Sequence, residues 1–227
     1  MRASAVMAAG LAATMAAAVA APVLGQTERQ DFPAQRFRTS EDGYGLLGVN
    51  GGGIPAHLGV DVGITLDYAN NPLVLRLNNE RVGALVEHRA SAEVTAAIGL
   101  LDYLALEAAV PIALIQRRGP TPGIDDEALQ PLLSAGLADA RVLAKLRVLR
   151  EDRHFVSLSV APTLTLPGSA LQAAAFGTPP SYLGEPGPTL APELALSTAR
   201  FGGVIAAVNL GYRLRGRLTS LNIEVRD

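Results

Sequence analysis

The clearest pattern in the chain is a strict alternation of apolar and polar residues over residues 57–68. Every even position there is apolar, from Leu58 to Tyr68, and the odd positions are small, polar or charged. Successive side chains of a β-strand point to opposite faces, so the segment is predicted to be a strand with one apolar and one polar face. A helix would mix the two sets on every side.

The same alternation returns further along the chain and predicts an all-β protein. Six more segments carry it, at 86–100, 104–115, 138–149, 155–166, 189–199 and 203–214, and a weaker eighth candidate covers 218–226. The predicted connections are long and short in turn, at 69–85, 101–103, 116–137, 150–154, 167–188 and 200–202. Short turns on one side and long loops on the other are typical of an antiparallel up-and-down transmembrane β-barrel, here with about eight strands.

Alternation alone does not decide whether the apolar face meets lipid or a protein interior. A soluble barrel hides its apolar face, whereas a membrane barrel turns it outward. The seven polar faces carry thirteen charged residues and the opposite faces carry none, with His88 as their one histidine. A lipid-facing surface excludes charge, because lysine or arginine at the bilayer midplane costs about 2–4 kcal/mol. We therefore expect an outer-membrane barrel, with a soluble periplasmic ligand-binding barrel as the alternative.

The thirteen charges are the predicted lining of the lumen. They are Asp61, Asp67, Glu87, Arg89, Glu93, Glu107, Asp139, Arg141, Lys145, Arg147, Glu193, Arg213 and Arg215. Four of these residues, an aspartate and three basic residues, lie on one face of the predicted strand 138–149. Opposite signs are adjacent at Asp139 and Arg141, which suggests a ladder of ion pairs along this strand. A small barrel is filled by its own side chains, so a plugged lumen is favoured over an open channel for small solutes.

Aromatic residues are predicted to mark the two membrane interfaces. Tyr68, Tyr103, Phe155, Phe201 and Tyr212 fall at or near the ends of predicted strands. Tyrosine and phenylalanine form girdles at these depths in membrane barrels.

The N-terminus is predicted to be a secretory signal peptide over residues 1–25. Arg2 precedes an uncharged, alanine-rich run, and Val23 and Gly25 supply small residues for cleavage after Gly25. A permanent membrane anchor is less favoured, because the run is weakly hydrophobic and no basic cluster follows it. We expect residues 26–56 to form a periplasmic or luminal segment and 57–227 to form the barrel, with the N-terminus periplasmic.

Composition removes several classes of function. The chain has no cysteine, which excludes disulfides and thiolate chemistry. Nineteen basic and 21 acidic residues give a net charge of −2, which argues against nucleic-acid binding. No metal or cofactor motif occurs, and the glycines at 51–53 lack the Gly-Lys-Ser/Thr continuation of a phosphate loop. We expect no enzyme, no cofactor and no metal.

Two clusters that resemble functional sites have simpler interpretations. His88, Ser91 and Glu87 are candidates for a hydrolase site, but His88 belongs to the apolar face and the other two to the polar face. Asp125, Asp126 and Glu127 form an acidic group in a long connection, where a solvated loop is favoured over a cation site.

Several short motifs resemble the N-terminal β-barrel of OmpA-family outer-membrane proteins of the myxobacterial type. The matching pieces are Arg36-Phe37 before Gly45-Leu46-Leu47, Asn71-Pro72-Leu73-Val74, the run 137–147, Ala161-Pro162, Leu166-Pro167-Gly168, Leu183-Gly184-Glu185 and the run 209–214. The resemblance covers residues 36 to about 215. It implies a structural envelope protein in contact with outer-membrane lipid and lipopolysaccharide.

The chain departs from that family at its C-terminal end. Family members continue into more strands and a peptidoglycan-binding domain, and neither follows here. Any contact with peptidoglycan would therefore require a domain that this chain lacks. The chain also lacks the terminal aromatic residue of such barrels. The seven strong segments with the weak eighth are one way to close a minimal barrel; we favour a truncated barrel, with strands beyond Arg215 missing.

Overall fold

The computed structural model describes residues 33–35, 37–124, 129, 132–177, 182–185, 187–198 and 204–214. This part of the chain is all-β: a ten-stranded antiparallel sheet forms a half-barrel. Four predicted features lie outside the described residues. They are the signal peptide, the acidic group at 125–127, Phe201, and the stretch that holds Arg215 and the candidate strand 218–226.

The strands follow one another in simple order, with two helices in the connections. The strands are β1 (Val60–Leu77), β2 (Glu80–Leu101), β3 (Leu104–Arg117), β4 (Gly136–Leu137), β5 (Ala140–Leu149), β6 (Val156–Val160), β7 (Thr163–Leu166), β8 (Thr189–Ala191), β9 (Glu193–Thr198) and β10 (Ala207–Gly211). The helices are α1 (Glu151–His154) and α2 (Gly168–Phe176).

The ten strands form seven antiparallel rows. β4 and β5 both pair with β3, β6 and β7 both pair with β5, and β8 and β9 continue the next row. Pro162 interrupts one row and Pro192 another, because proline has no N–H to donate to the ladder. Each row contains one of the seven strongly alternating segments.

The long connection predicted at 69–85 is wrong, because the structure has a β-hairpin there. β1 and β2 continue through it and meet at a two-residue turn, Asn78-Asn79, whose φ angles of 49° and 69° suit a tight hairpin. The register shifts between Asn70 and Leu73, where Asn71 has a φ of 52°. Beyond this bulge, Leu85 and Val86 are buried in a small cluster with Ala34 and Tyr182. Both faces of the hairpin are therefore partly covered, and the alternation that marks a two-sided strand disappears.

Helices occupy two of the predicted connections. α1 lies within 150–154, and α2 lies within the predicted loop 167–188. Within the described ranges, neither helix has the length and hydropathy that a membrane crossing requires.

The two faces of the sheet are inverted relative to a soluble protein. On the apolar face of β1, Val62 is 71% and Leu66 73% exposed. On the polar face, Glu107 and Lys145 are 1% and 0% exposed. The charged face is buried because residues 33–35 and 37–56 cover it.

Candidate functional site: the covered polar face

Residues 33–35 and 37–56, here called the plug segment, lie against the polar face of the sheet. Glu41, Asp42, Asn50 and Ile54 of this segment are buried although it contains no named strand or helix. Its side chains and backbone hydrogen-bond to residues of β1, β2, β5, β9 and β10. The segment therefore reaches both outermost strands of the half-barrel.

Arg141 on β5 ties the plug segment to two strands. Its Nε donates to Glu41 Oε1 at 2.7 Å, and its Nη1 and Nη2 donate to the two carboxylate oxygens of Glu93 on β2 at 3.1 and 3.0 Å. The Thr39 N–H and hydroxyl also donate to Glu93. The planar guanidinium suits such two-pronged pairing, which fixes geometry as well as charge.

Lys145, four residues after Arg141 on the same face of β5, contacts a second pair of acidic residues. Its Nζ lies 2.6 Å from Asp42 Oδ2 in the plug segment and 3.4 Å from Glu107 Oε1 on β3. All three side chains are fully buried. A buried cation between two carboxylates is costly to desolvate, and removing it would leave two buried carboxylates without their counter-ion.

The other end of the plug segment is fixed to β9 and β10. The Asn50 N–H donates to Asn209 Oδ1 at 2.8 Å, and Asn209 Nδ2 returns a bond to the Asn50 carbonyl at 2.9 Å. Asn50 Nδ2 also donates to Glu193. The Gly52 N–H donates to Ser197 Oγ at 2.9 Å, and a Cβ at Gly52 would overlap the Ser157 carbonyl. Glycine is required here by close backbone approach, not by phosphate binding.

The remaining predicted charges lie along the same face, some at its margins. Asp67 accepts a bond from Gln35, Arg89 donates to the Tyr182 carbonyl and Asp139 accepts from the Glu185 N–H. The others are partly buried: Asp61 beside Gly43, Glu87 near His88, Arg147 bonded to the Asp102 carbonyl, Glu193 bonded to Asn50, and Arg213 3.6 Å from Glu185. Arg215 lies outside the described residues.

The predicted ladder of ion pairs along β5 is wrong. Arg141 and Lys145 pair with acidic groups on the plug segment, β2 and β3, and Asp139 is engaged by the backbone of Glu185. Side chains on the same face of a strand are about 7 Å apart, so partners on neighbouring elements are reached more easily.

Burial perturbs two ionisable groups of the plug segment. Desolvation, with the nearby guanidiniums of Arg213 and Arg141, lowers the pKa of Arg38 to about 10. Burial raises the pKa of Tyr44, and the Asp61 and Asp42 carboxylates raise it further. Arg38 and Arg141 border a cleft of about 10 Å³, roughly the room of one water molecule.

The hydrolase candidate is not assembled. His88 lies on the outer face, where its Nδ1 is 2.6 Å from the Tyr68 hydroxyl. Ser91 is buried on the opposite face and accepts a hydrogen bond from Arg89 Nε. Among the residues that the structure describes, no group of three His, Asp or Glu side chains is placed to hold a metal ion.

The sequence patterns did not identify the residues that the plug segment contributes to this site. These residues are Thr39, Glu41, Asp42 and Asn50. These residues follow no alternation, and the charges on the strands are nearly balanced without them. The one available signal was the three consecutive glycines at 51–53, which indicate close backbone approach.

No protein-family model, curated protein or solved structure matches the chain.

Proposed function

We propose that the chain is an OmpA-like outer-membrane β-barrel with a structural role in the envelope, closed internally by its own plug segment. The observation that carries this proposal is the inversion of the two faces. Contiguous exposed apolar surface of this extent is unfavourable in water, and a bilayer removes the cost. Burial of the charged face beneath a polar segment fits the polar interior of such barrels.

The dimensions of the apolar face support a bilayer. Its outward residues run from Val60 to Tyr68 on β1, which is roughly 26 Å along the strand. Tyr68 lies in the middle of β1, not at the predicted strand end, but it closes the apolar band there. Tyr212 is exposed at the same end of the sheet, and Tyr103 and Phe155 are exposed at the other. This arrangement suits two interfacial girdles.

The direction of the rows suggests how the barrel closes. With seven antiparallel rows, β1 and β10 run in the same direction, and in the described residues neither outer edge pairs with another strand. One further strand in the opposite direction would complete an antiparallel barrel. The candidate strand 218–226 lies outside the described residues.

A structural role is favoured over a small-solute channel because the plug segment fills the described polar face. A soluble ligand-binding barrel is disfavoured for a different reason. Its ligand cavity would be lined by the apolar face, which here points away from the plug segment.

The proposal is tested by gel mobility of the membrane fraction, with and without boiling. A closed membrane barrel resists detergent, so we expect a membrane-bound band whose mobility shifts on heating. A band in the soluble periplasm would refute the membrane assignment, and a membrane band without a shift would refute closure. Planar-bilayer recording then separates the two roles, because a plugged barrel should give no steady conductance.

A further inference from the structure

We infer that the outer surface of β1–β3, at the edge of the apolar band, binds the phosphate of a membrane lipid headgroup. The residues are Tyr68, His88 and Arg117, here called the rim cluster. The inference rests on the proposed membrane location and adds a specific lipid contact to it.

The strand register brings the rim cluster together. His88 is the register partner of Asn70 on β1 and of Arg117 on β3. The Tyr68 hydroxyl and His88 Nδ1 share a 2.6 Å hydrogen bond, and the two rings are stacked with centroids 6.1 Å apart. Three polar side chains from adjacent strands thus share one small area of the outer face.

A β-bulge in β3 is the reason that Arg117 faces outward. Ala113 pairs with Ser91 and Ile115 pairs with Ala90, so Leu114 is the extra residue. Leu114 and Ile115 are both about half exposed, Gln116 is buried and Arg117 is exposed. Without the bulge, the alternation would send Arg117 to the covered face with the other charges. Bulges commonly re-aim a side chain in this way.

The rim cluster lies where the outer face changes from apolar to polar. Below it are Leu66 and the apolar residues of β2 and β3, and above it Arg76 and Arg81 stand directly opposite each other near the hairpin tip. Arg81 Nη2 donates to Asn71 Oδ1 at 2.6 Å, but like charges in opposed positions still favour a nearby anion. Among the described residues, Glu87 places a carboxylate oxygen 3.9 Å from His88 Nε2, whereas Glu80 precedes Arg81 and lies on the opposite face of the hairpin. The rim cluster therefore places the Arg117 guanidinium at this boundary, with the Glu87 carboxylate near its neighbour His88.

Lipid phosphate fits this chemistry better than water does. A guanidinium at the edge of the hydrocarbon can donate two parallel hydrogen bonds to phosphate oxygens. Tyrosine beside it places an apolar ring in the acyl region and a hydroxyl among the headgroups. An arginine in the middle of the apolar band, away from the headgroups, would have no phosphate to accept its hydrogen bonds.

Native mass spectrometry of the full chain, folded in detergent micelles, tests the inference with phosphatidic acid as the probe. Diacylglycerol with the same acyl chains is the control lipid. We expect retention of phosphatidic acid over diacylglycerol, and about tenfold weaker retention by Arg117→Gln. Arg153→Gln, an exposed arginine on α1 at the opposite end of the sheet, should retain the lipid like the wild type.

Three results would overturn the inference. They are equal retention of the two lipids, equal loss in the Arg117 and Arg153 variants, and full displacement of the lipid by millimolar inorganic phosphate, which would indicate a site for free phosphate. Each variant is first checked for the heat-dependent gel shift. A protein that shifts but does not discriminate lipids refutes only the headgroup site, whereas a protein that needs no detergent to stay soluble refutes the membrane proposal itself.

Discussion

At the scale of single residues, the covered face is organised by two cations on one strand. Arg141 and Lys145 each join one acidic residue of the plug segment to one acidic residue of a neighbouring strand. Replacing a whole buried ion pair by apolar groups is often neutral, but removing one partner leaves an uncompensated charge. The two cations are therefore the positions where single substitutions should have the largest effect.

Lys145→Met should strongly destabilise the folded protein. The change leaves the Asp42 and Glu107 carboxylates buried together without their cation, and we expect a loss of about 3–5 kcal/mol in the free energy of unfolding. Urea titration in phospholipid bilayers, read as the fraction that keeps the heat-dependent gel shift, measures it. Arg150→Met is the matched control, because the Arg150–Asp152 pair is exposed and its loss should leave the free energy of unfolding nearly unchanged. Equal effects of the two changes would show that the Lys145 network is not buried.

Gly52→Ala should displace the plug segment from the polar face without unfolding the sheet. The new methyl group would overlap the backbone carbonyl of Ser157, so the segment must move away from β6 and β9. Trypsin should then cleave after Arg38 faster than in the wild-type protein. Gly187→Ala is the control, since a Cβ there meets no atom within 4 Å. Unchanged cleavage in Gly52→Ala would contradict the close contact.

At the scale of strands, alternation predicts position well and length poorly. The segment 57–68 locates β1, but β1 continues to Leu77 because Leu73 and Leu75 pack against a local cluster and no longer alternate. Alternation also did not reveal that Pro162 and Pro192 each divide one row of the sheet into two shorter strands. The contacts of the plug segment could not be predicted either, because they are long-range and the segment's own sequence has no period.

Ile64→Arg should prevent stable insertion, whereas Leu77→Arg should not. Ile64 lies near the middle of the exposed apolar band of β1, where arginine in a bilayer costs about 2–4 kcal/mol. Leu77 is also exposed on β1 but lies at the hairpin tip, beyond the band. The yield of heat-shifting protein after refolding into vesicles compares the two. Similar yields would contradict a lipid-facing band at Ile64.

At the scale of the whole molecule, a polar segment takes the place of a hydrophobic core. The plug segment bonds to Asp67 on β1 and to Asn209 on β10, so it spans the half-barrel from one outer strand to the other. An apolar core would hold a sheet of this kind around its apolar face, yet here that face is exposed. We therefore expect lipid to cover the even-numbered positions of β1 from Val60 to Tyr68.

The most direct test is spin labelling of single-cysteine variants along β1 in reconstituted bilayers, which is clean because the chain has no cysteine. Labels at Val62, Ile64 and Leu66 should be accessible to oxygen and shielded from a water-soluble nickel chelate. Labels at Asp61, Thr65 and Asp67 should be shielded from oxygen, because the plug segment and neighbouring strands cover that face. A two-residue period in oxygen accessibility is the predicted result. Nickel accessibility at the even positions, or the absence of a period, would contradict it.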